Sequence, residues 1–176
     1  YAKYADWDGS YYGAQALIKH LLNHFISIPT KGSCPGGLTV YAGHDSTMNT
    51  LQAALNVPQE AGVNVIYATG LAWELLVDGS VRGRGKKYIG VKWHVPAVKP
   101  LYADNADHPQ IFVGVKKFLK ENQKSVAKVP TSIQDQYQLH NVIALSDLSA
   151  YCSLRDEVYQ GRNVSAFWEP CPHFTD

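Results

Sequence analysis

Between two segments of helical period sits a five-residue run, LTVYA at residues 38–42, that is apolar, rich in β-forming side chains and closed on both sides by turn residues. It is too short for a helix and is bounded by CPGG before it and Gly43 to Asp45 after it, so it reads as a buried strand. The segment before it, residues 10–28, spaces Ala14, Leu17, Ile18, Leu21, Leu22 and Phe25 three and four apart. That is one apolar stripe of a helix, which Ser10 would cap and Pro29 and Gly32 would stop. The segment after it, residues 46–56, puts Met48, Leu51, Ala54 and Leu55 on one face. Helix, strand, helix is the rhythm of an α/β layer built on a parallel sheet.

Further along, the period changes. Residues 71–77 read as a strand, and Asp78, Gly79 and Ser80 signal a turn. Residues 87–95 alternate, with Ile89, Val91, Trp93 and Val95 on one face and Tyr88, Lys92 and His94 on the other. The two strands are expected to form an antiparallel hairpin appended to the parallel sheet. The VRGRGKK stretch between them is glycine-rich and basic but lacks P-loop spacing and a following helix, so it reads as a solvated tip. Residues 108–121 form a candidate helix with Phe112, Val115, Phe118 and Leu119 inward and Lys116, Lys117 and Lys120 in water. Residues 149–159 form another. His20 and His24 stand four apart on the polar face of the first helix, a metal-binding spacing that needs further ligands, and no third ligand signal lies nearby.

Composition narrows the class. With 176 residues, 45% hydrophobic and 18% charged, the chain can bury a core and is not of disordered type. A net charge of +1 gives no general electrostatic case for nucleic acid. No stretch reaches the ~18–20 apolar residues of a membrane span. Three cysteines, Cys34, Cys152 and Cys171, leave an odd thiol that in an oxidising compartment stays free or bonds outside the chain. Asn163 opens an Asn-Val-Ser glycosylation sequon. Together these point to a secreted or lysosomal protein. The chain opens on Tyr1 rather than methionine and reads as processed or incomplete.

Chemistry concentrates at His44 and Asp45. Ligands of α/β sheets bind beyond the carboxyl ends of the strands, where this pair is expected, with a helix starting behind it. A helix N-terminus offers N–H groups and partial positive charge to an anion such as phosphate. An aspartate beside a phosphoryl dianion is raised in pKa by like charge and can hold a proton for a leaving alkoxide. On the dipeptide alone, a capping aspartate and a turn histidine are the commoner use.

The order of segments changes that balance. LTVYAGHDSTMNTLQAALNV resembles the strand, His-Asp and helix segment of the histidine acid phosphatases, the prostatic and lysosomal acid phosphatase and phytase type. YYGAQALIKHLLNHFISI is similar to the helix before it, ATGLAWELLVDGS to the following strand with its glutamate at Glu74, and YIGVKWHVP to the second hairpin strand. The resemblance runs from about Gly13 to Pro96 and continues more loosely to Cys171. It implies the C-terminal portion of a three-layer α/β sandwich, with residues 1–100 belonging to the phosphatase domain and residues 101–176 an extension packed on it. It implies hydrolysis of phosphate monoesters through a phosphohistidine, without cofactor or metal. Asp45 would then be the general acid, His44 a phosphate contact and Glu74 a supporting residue. The nucleophile's Arg-His-Gly-x-Arg-x-Pro motif is absent, so it is expected in a missing N-terminal portion or a companion chain, and this chain alone is expected to be inactive. A non-catalytic structural or surface-coat protein derived from the same fold is the alternative. An unrelated α/β domain with a chance Gly-His-Asp is a third reading. Edge strands allow a homodimer.

Overall fold

The structure, a computed structural model, describes residues 9–29, 37–57, 65, 69–80, 85–94, 110–137 and 141–160. In chain order the elements are α1 (Gly9–Ser27), α2 (Asp45–Ala54), β1 (Gly70–Val77), β2 (Lys87–His94), α3 (Val113–Glu121), α4 (Thr131–Gln134), β3 (Val142–Ala144) and α5 (Leu145–Gln160). α1 forms where its stripe is expected. Ala14, Ile18, Leu22 and Phe25 are buried, and the backbone is already helical at Gly9, so Ser10 lies within the first turn rather than capping it.

The expected hairpin is present. β1 and β2 pair antiparallel from Gly70 opposite His94 to Val77 opposite Lys87, and β3 joins the other edge of β2 with Tyr88 opposite Ala144. The sheet is therefore three-stranded, antiparallel and ordered β1-β2-β3. The expected parallel sheet and three-layer sandwich are not what the described residues form. Residues 38–42, expected as a buried strand, belong to no element: Leu38 is 90% and Val40 77% exposed. Their β-forming side chains cannot make a strand without a neighbouring backbone to pair with, and among the described residues none pairs with them.

One core joins early and late parts of the chain. Ile89, Val91 and Ile143 on one sheet face pack with Ile18 and Leu22 of α1, Leu51 and Ala54 of α2, Val115 and Leu119 of α3, and Leu148 and Tyr151 of α5. Trp73 of β1 meets the edge of Phe112 at 5.9 Å, and Phe118 meets Tyr151 at 5.2 Å. Tyr151 Oη donates to the Ala54 carbonyl at 2.6 Å, satisfying a buried acceptor at the end of α2. The hairpin is tied to α1 by Lys87, whose Nζ donates to the carbonyls of Phe25 (3.0 Å), Ile26 (2.8 Å) and Ile28. A cation there satisfies the last turn's orphan acceptors and complements the negative end of the helix dipole.

The other sheet face is covered by residues 129–137, a strap in the segment between α3 and β3, whereas Val126 packs into the helical core. The strap's Ile133 and Tyr137 pack on Tyr88, Val142 and Ala144. α3 begins at Val113, later than the expected 108, with residues 108 and 109 outside the described set. Lys116 is half-buried rather than in water, and burial, with Lys120 adding and Asp147 opposing, holds its ammonium below the usual lysine range. α5 starts at Leu145, four residues before the expected 149. Cys34, Cys171, Asn163, Val95 and residues 81–84 of the basic tip lie outside the described residues.

Gly114 of α3 packs against Asn56, in the turn that follows α2. A Cβ there would lie 1.5 Å from the Asn56 carbonyl oxygen, and Asn56 itself is held at φ 54°. Gly114→Ala is expected to destabilise the chain by about 3 kcal/mol or more, because a backbone atom must move. Gly79→Ala, which meets nothing within 4 Å, is expected to change stability by less than about 0.5 kcal/mol. Urea unfolding midpoints of the two variants check the contrast.

Candidate functional site

His44 and Asp45 stand at the N-terminus of α2, both exposed. His44 is the N-cap residue in extended conformation (φ −87°, ψ 166°). Its carbonyl accepts from the N–H groups of Thr47 (3.0 Å) and Met48 (3.3 Å), and its ring makes no capping bond. Asp45 Oδ1 accepts the Ser46 N–H at 2.7 Å. The carboxylate thus rests on the positive end of its own helix, where a first-turn acid is favoured. Four residues on, on the same side of the helix, Asn49 Oδ1 is screened from solvent with no hydrogen-bond partner. A buried polar atom left this way is uncommon in folded proteins.

The approach to this pair is the exposed run itself. Residues 37–47 are all exposed, and Tyr41 meets His20, its hydroxyl 2.8 Å from His20 Nε2 and the two rings edge to face at 5.8 Å. His20 and His24 both face outward, His24 beside Phe25, and no group of three or more metal-ligating side chains forms among the described residues. The polar-face reading of the two histidines matches these positions.

Glu74 lies elsewhere. It is on the strap-facing side of β1, opposite Gly90, and among the described residues no hydrogen bond or ion pair links it to His44 or Asp45. Its carboxylate accepts from Lys92 Nζ at 3.0 and 3.1 Å and from the Tyr137 hydroxyl. Lys92 also stands 5.1 Å from the Tyr137 ring centroid. Burial alone would raise the Glu74 carboxyl, but the Tyr137 and Lys92 hydrogen bonds and the Lys92 charge outweigh it and hold the group below the usual glutamate range. Burial, and then the hydrogen bond and charge of Glu74, push the Tyr137 phenol above its ordinary value.

Gly90 makes this cluster possible. A Cβ there would fall 2.4 Å from the Tyr137 ring, so the ring lies flat against bare backbone. A glycine inside a strand signals such a close approach, and Gly90 in YIGVKW carries that signal. Nothing in the period of residues 122–137 marks Tyr137 as the occupant. Asp147 is another site residue without a plain sequence signature. It is 8% exposed in the first turn of α5, and its Oδ2 accepts the Ala127 N–H at 2.8 Å. Among the described residues no helix is long and apolar enough to cross a membrane.

The Lys92 contact has a measurable consequence. Glu74's depressed value contributes stability that is complete above the unfolded carboxyl pKa of ~4.3 and is lost as pH falls through the folded value. Lys92→Met is expected to move the Glu74 titration upward and to shrink that contribution, as read by side-chain carboxyl NMR and by urea midpoints between neutral and acid pH. No protein-family model, curated protein or solved structure matches this chain.

Proposed function

We propose that this chain is part of a phosphate-monoester hydrolase of the histidine acid phosphatase type, working with polypeptide that carries the nucleophile. In the first step an imidazole from that polypeptide attacks phosphorus, a P–N bond forms, the P–O ester bond breaks, and Asp45 gives its proton to the departing alkoxide. In the second, water attacks the phosphohistidine, the P–N bond breaks and Asp45 takes a proton back. His44 donates a hydrogen bond to a phosphoryl oxygen throughout. The reading belongs to a secreted or lysosomal setting.

The observation that carries the reading is the placement of His44 and Asp45 together. They are exposed at the positive end of α2, directly after an apolar run that has no backbone partner among the described residues. Residues 38–42 are rich in β-forming side chains and unpaired among the described residues, which suits a strand in a sheet completed by further strands. Asn49, with its unpaired buried oxygen, fits the same incompleteness.

A second reading, a non-catalytic structural or surface-coat protein, is favoured by the bond from the Ser46 N–H to Asp45, which spends the carboxylate on its own helix. Kinetics separate the two. The chain alone is expected to show no turnover of an aryl phosphate at acid pH, and turnover is expected once polypeptide bearing the Arg-His-Gly motif is present. In that assembly Asp45→Asn is expected to lower kcat on an alkyl phosphate by about 10²–10⁴-fold. The loss should be smaller on an aryl phosphate, whose leaving group needs less protonation. An assembly without phosphatase activity, or an Asp45→Asn variant that hydrolyses both esters at the parent rate, defeats the assignment.

A further inference from the structure

We infer that the groove between the end of α1, the start of β2 and the start of α5 is a binding site for a small amphipathic carboxylate, an apolar body carrying one anionic head. The groove encloses about 450 Å³ and lies on other elements than His44 and Asp45. That volume is of the size of small-molecule sites, which join mostly apolar walls to a few placed polar groups. Ile26, Tyr88, Ala127, Ala144 and Leu145 supply the walls, and Lys86, Ser146 and Ser149 the polar groups.

The groove is lined by donors that the fold leaves unused. Tyr88 is 3% exposed and packs with Ile133 and Val142, yet among the described residues its hydroxyl has no hydrogen-bond partner. A buried hydroxyl left unpaired costs free energy that an acceptor entering the groove recovers. Burial, then the charges of Asp78 and Asp147, push the phenol above its ordinary value, so at neutral pH it remains a donor. α5 runs 16 residues from Leu145, and the N–H groups of its first turn have no carbonyl within the helix to meet. The partial positive charge at that end favours an anion. Lys86 is exposed and adds a full charge; it acts on Asp78 across the turn, but among the described residues no ion pair holds its ammonium. Lys87 adds no donor, because its Nζ is engaged by the carbonyls that end α1.

The protein's own acids do not take these donors. Asp147 Oδ2 accepts the Ala127 N–H at 2.8 Å, and Asp78 Oδ1 accepts the Ser80 N–H at 2.9 Å. A cationic ligand would meet Lys86 and the positive end of α5. A neutral apolar one would leave the Tyr88 hydroxyl without an acceptor. A polyanion would carry more charge between apolar walls than one free ammonium and one helix end offset. A single carboxylate on an apolar body matches both the walls and the donors. Ala127 is exposed and lines the groove, so it stands at the mouth, where a larger side chain would block entry.

Amide NMR titration of the full chain with phenylacetate, and with phenylacetamide as its neutral counterpart of the same shape, tests the site. Phenylacetate is expected to give saturable shifts centred on residues 85–88 and 145–149, with a dissociation constant in the millimolar range or tighter, and phenylacetamide to bind severalfold more weakly. Lys86→Met, on the exposed surface, and Tyr88→Phe, which keeps the ring, are each expected to weaken phenylacetate severalfold, and Ala127→Trp to abolish its binding. No saturable shifts, shifts centred elsewhere, equal binding of acid and amide, or parent affinity in any of the three variants overturns the inference. Should Tyr88→Phe or Ala127→Trp not fold, Lys86→Met and the contrast between acid and amide decide by themselves.

Discussion

β2 has to be dry on both sides, and most of the molecule is arranged around that constraint. Tyr88, Ile89, Gly90 and Val91 are four consecutive buried residues. Because successive side chains point to opposite faces, no single layer can cover them. The helices α1, α2, α3 and α5 close one side over Ile89 and Val91. The other side is left to a short strap whose reach is set by Gly90: any side chain at that position would lift Tyr137 from the sheet and separate it from Glu74. Helix packing, the hairpin register and the Glu74 cluster are thus consequences of one strand being enclosed.

Much of this was legible in the residues. The alternation of Ile89, Val91 and Trp93 against Tyr88 and Lys92 specified the faces of β2, and Asp78, Gly79 and Ser80 marked the turn that makes the pair antiparallel. The stripe from Ala14 to Phe25 specified α1. What was not legible depended on partners distant in sequence. β3 is three residues long and gains its identity only from pairing with β2. The start of α5 at Leu145 is decided by the strand before it and by Asp147 reaching Ala127. Glu74 could be singled out, but its hydrogen-bond partners could not, since Tyr137 lies 63 residues away.

The clearest departure is the run at residues 38–42. Its composition suits the interior of a sheet, and among the described residues it has no strand partner. Local propensity describes what a segment can become, and a strand becomes one only against another backbone. His44 and Asp45 share that condition. Their placement on α2 is fixed by the helix, while the chemistry available to them depends on what is packed in front of it.

That bare run has a practical consequence for handling the molecule. Gly37 to Gly43 holds no charge and no proline, two of the devices by which proteins discourage intermolecular β-pairing. Its length matches the ~6–7-residue stretches that seed stacked fibrils. Prepared without a polypeptide to occupy it, the chain carries its own nucleus for precipitation. Aggregation would then increase with protein concentration irrespective of how well the buried core is packed.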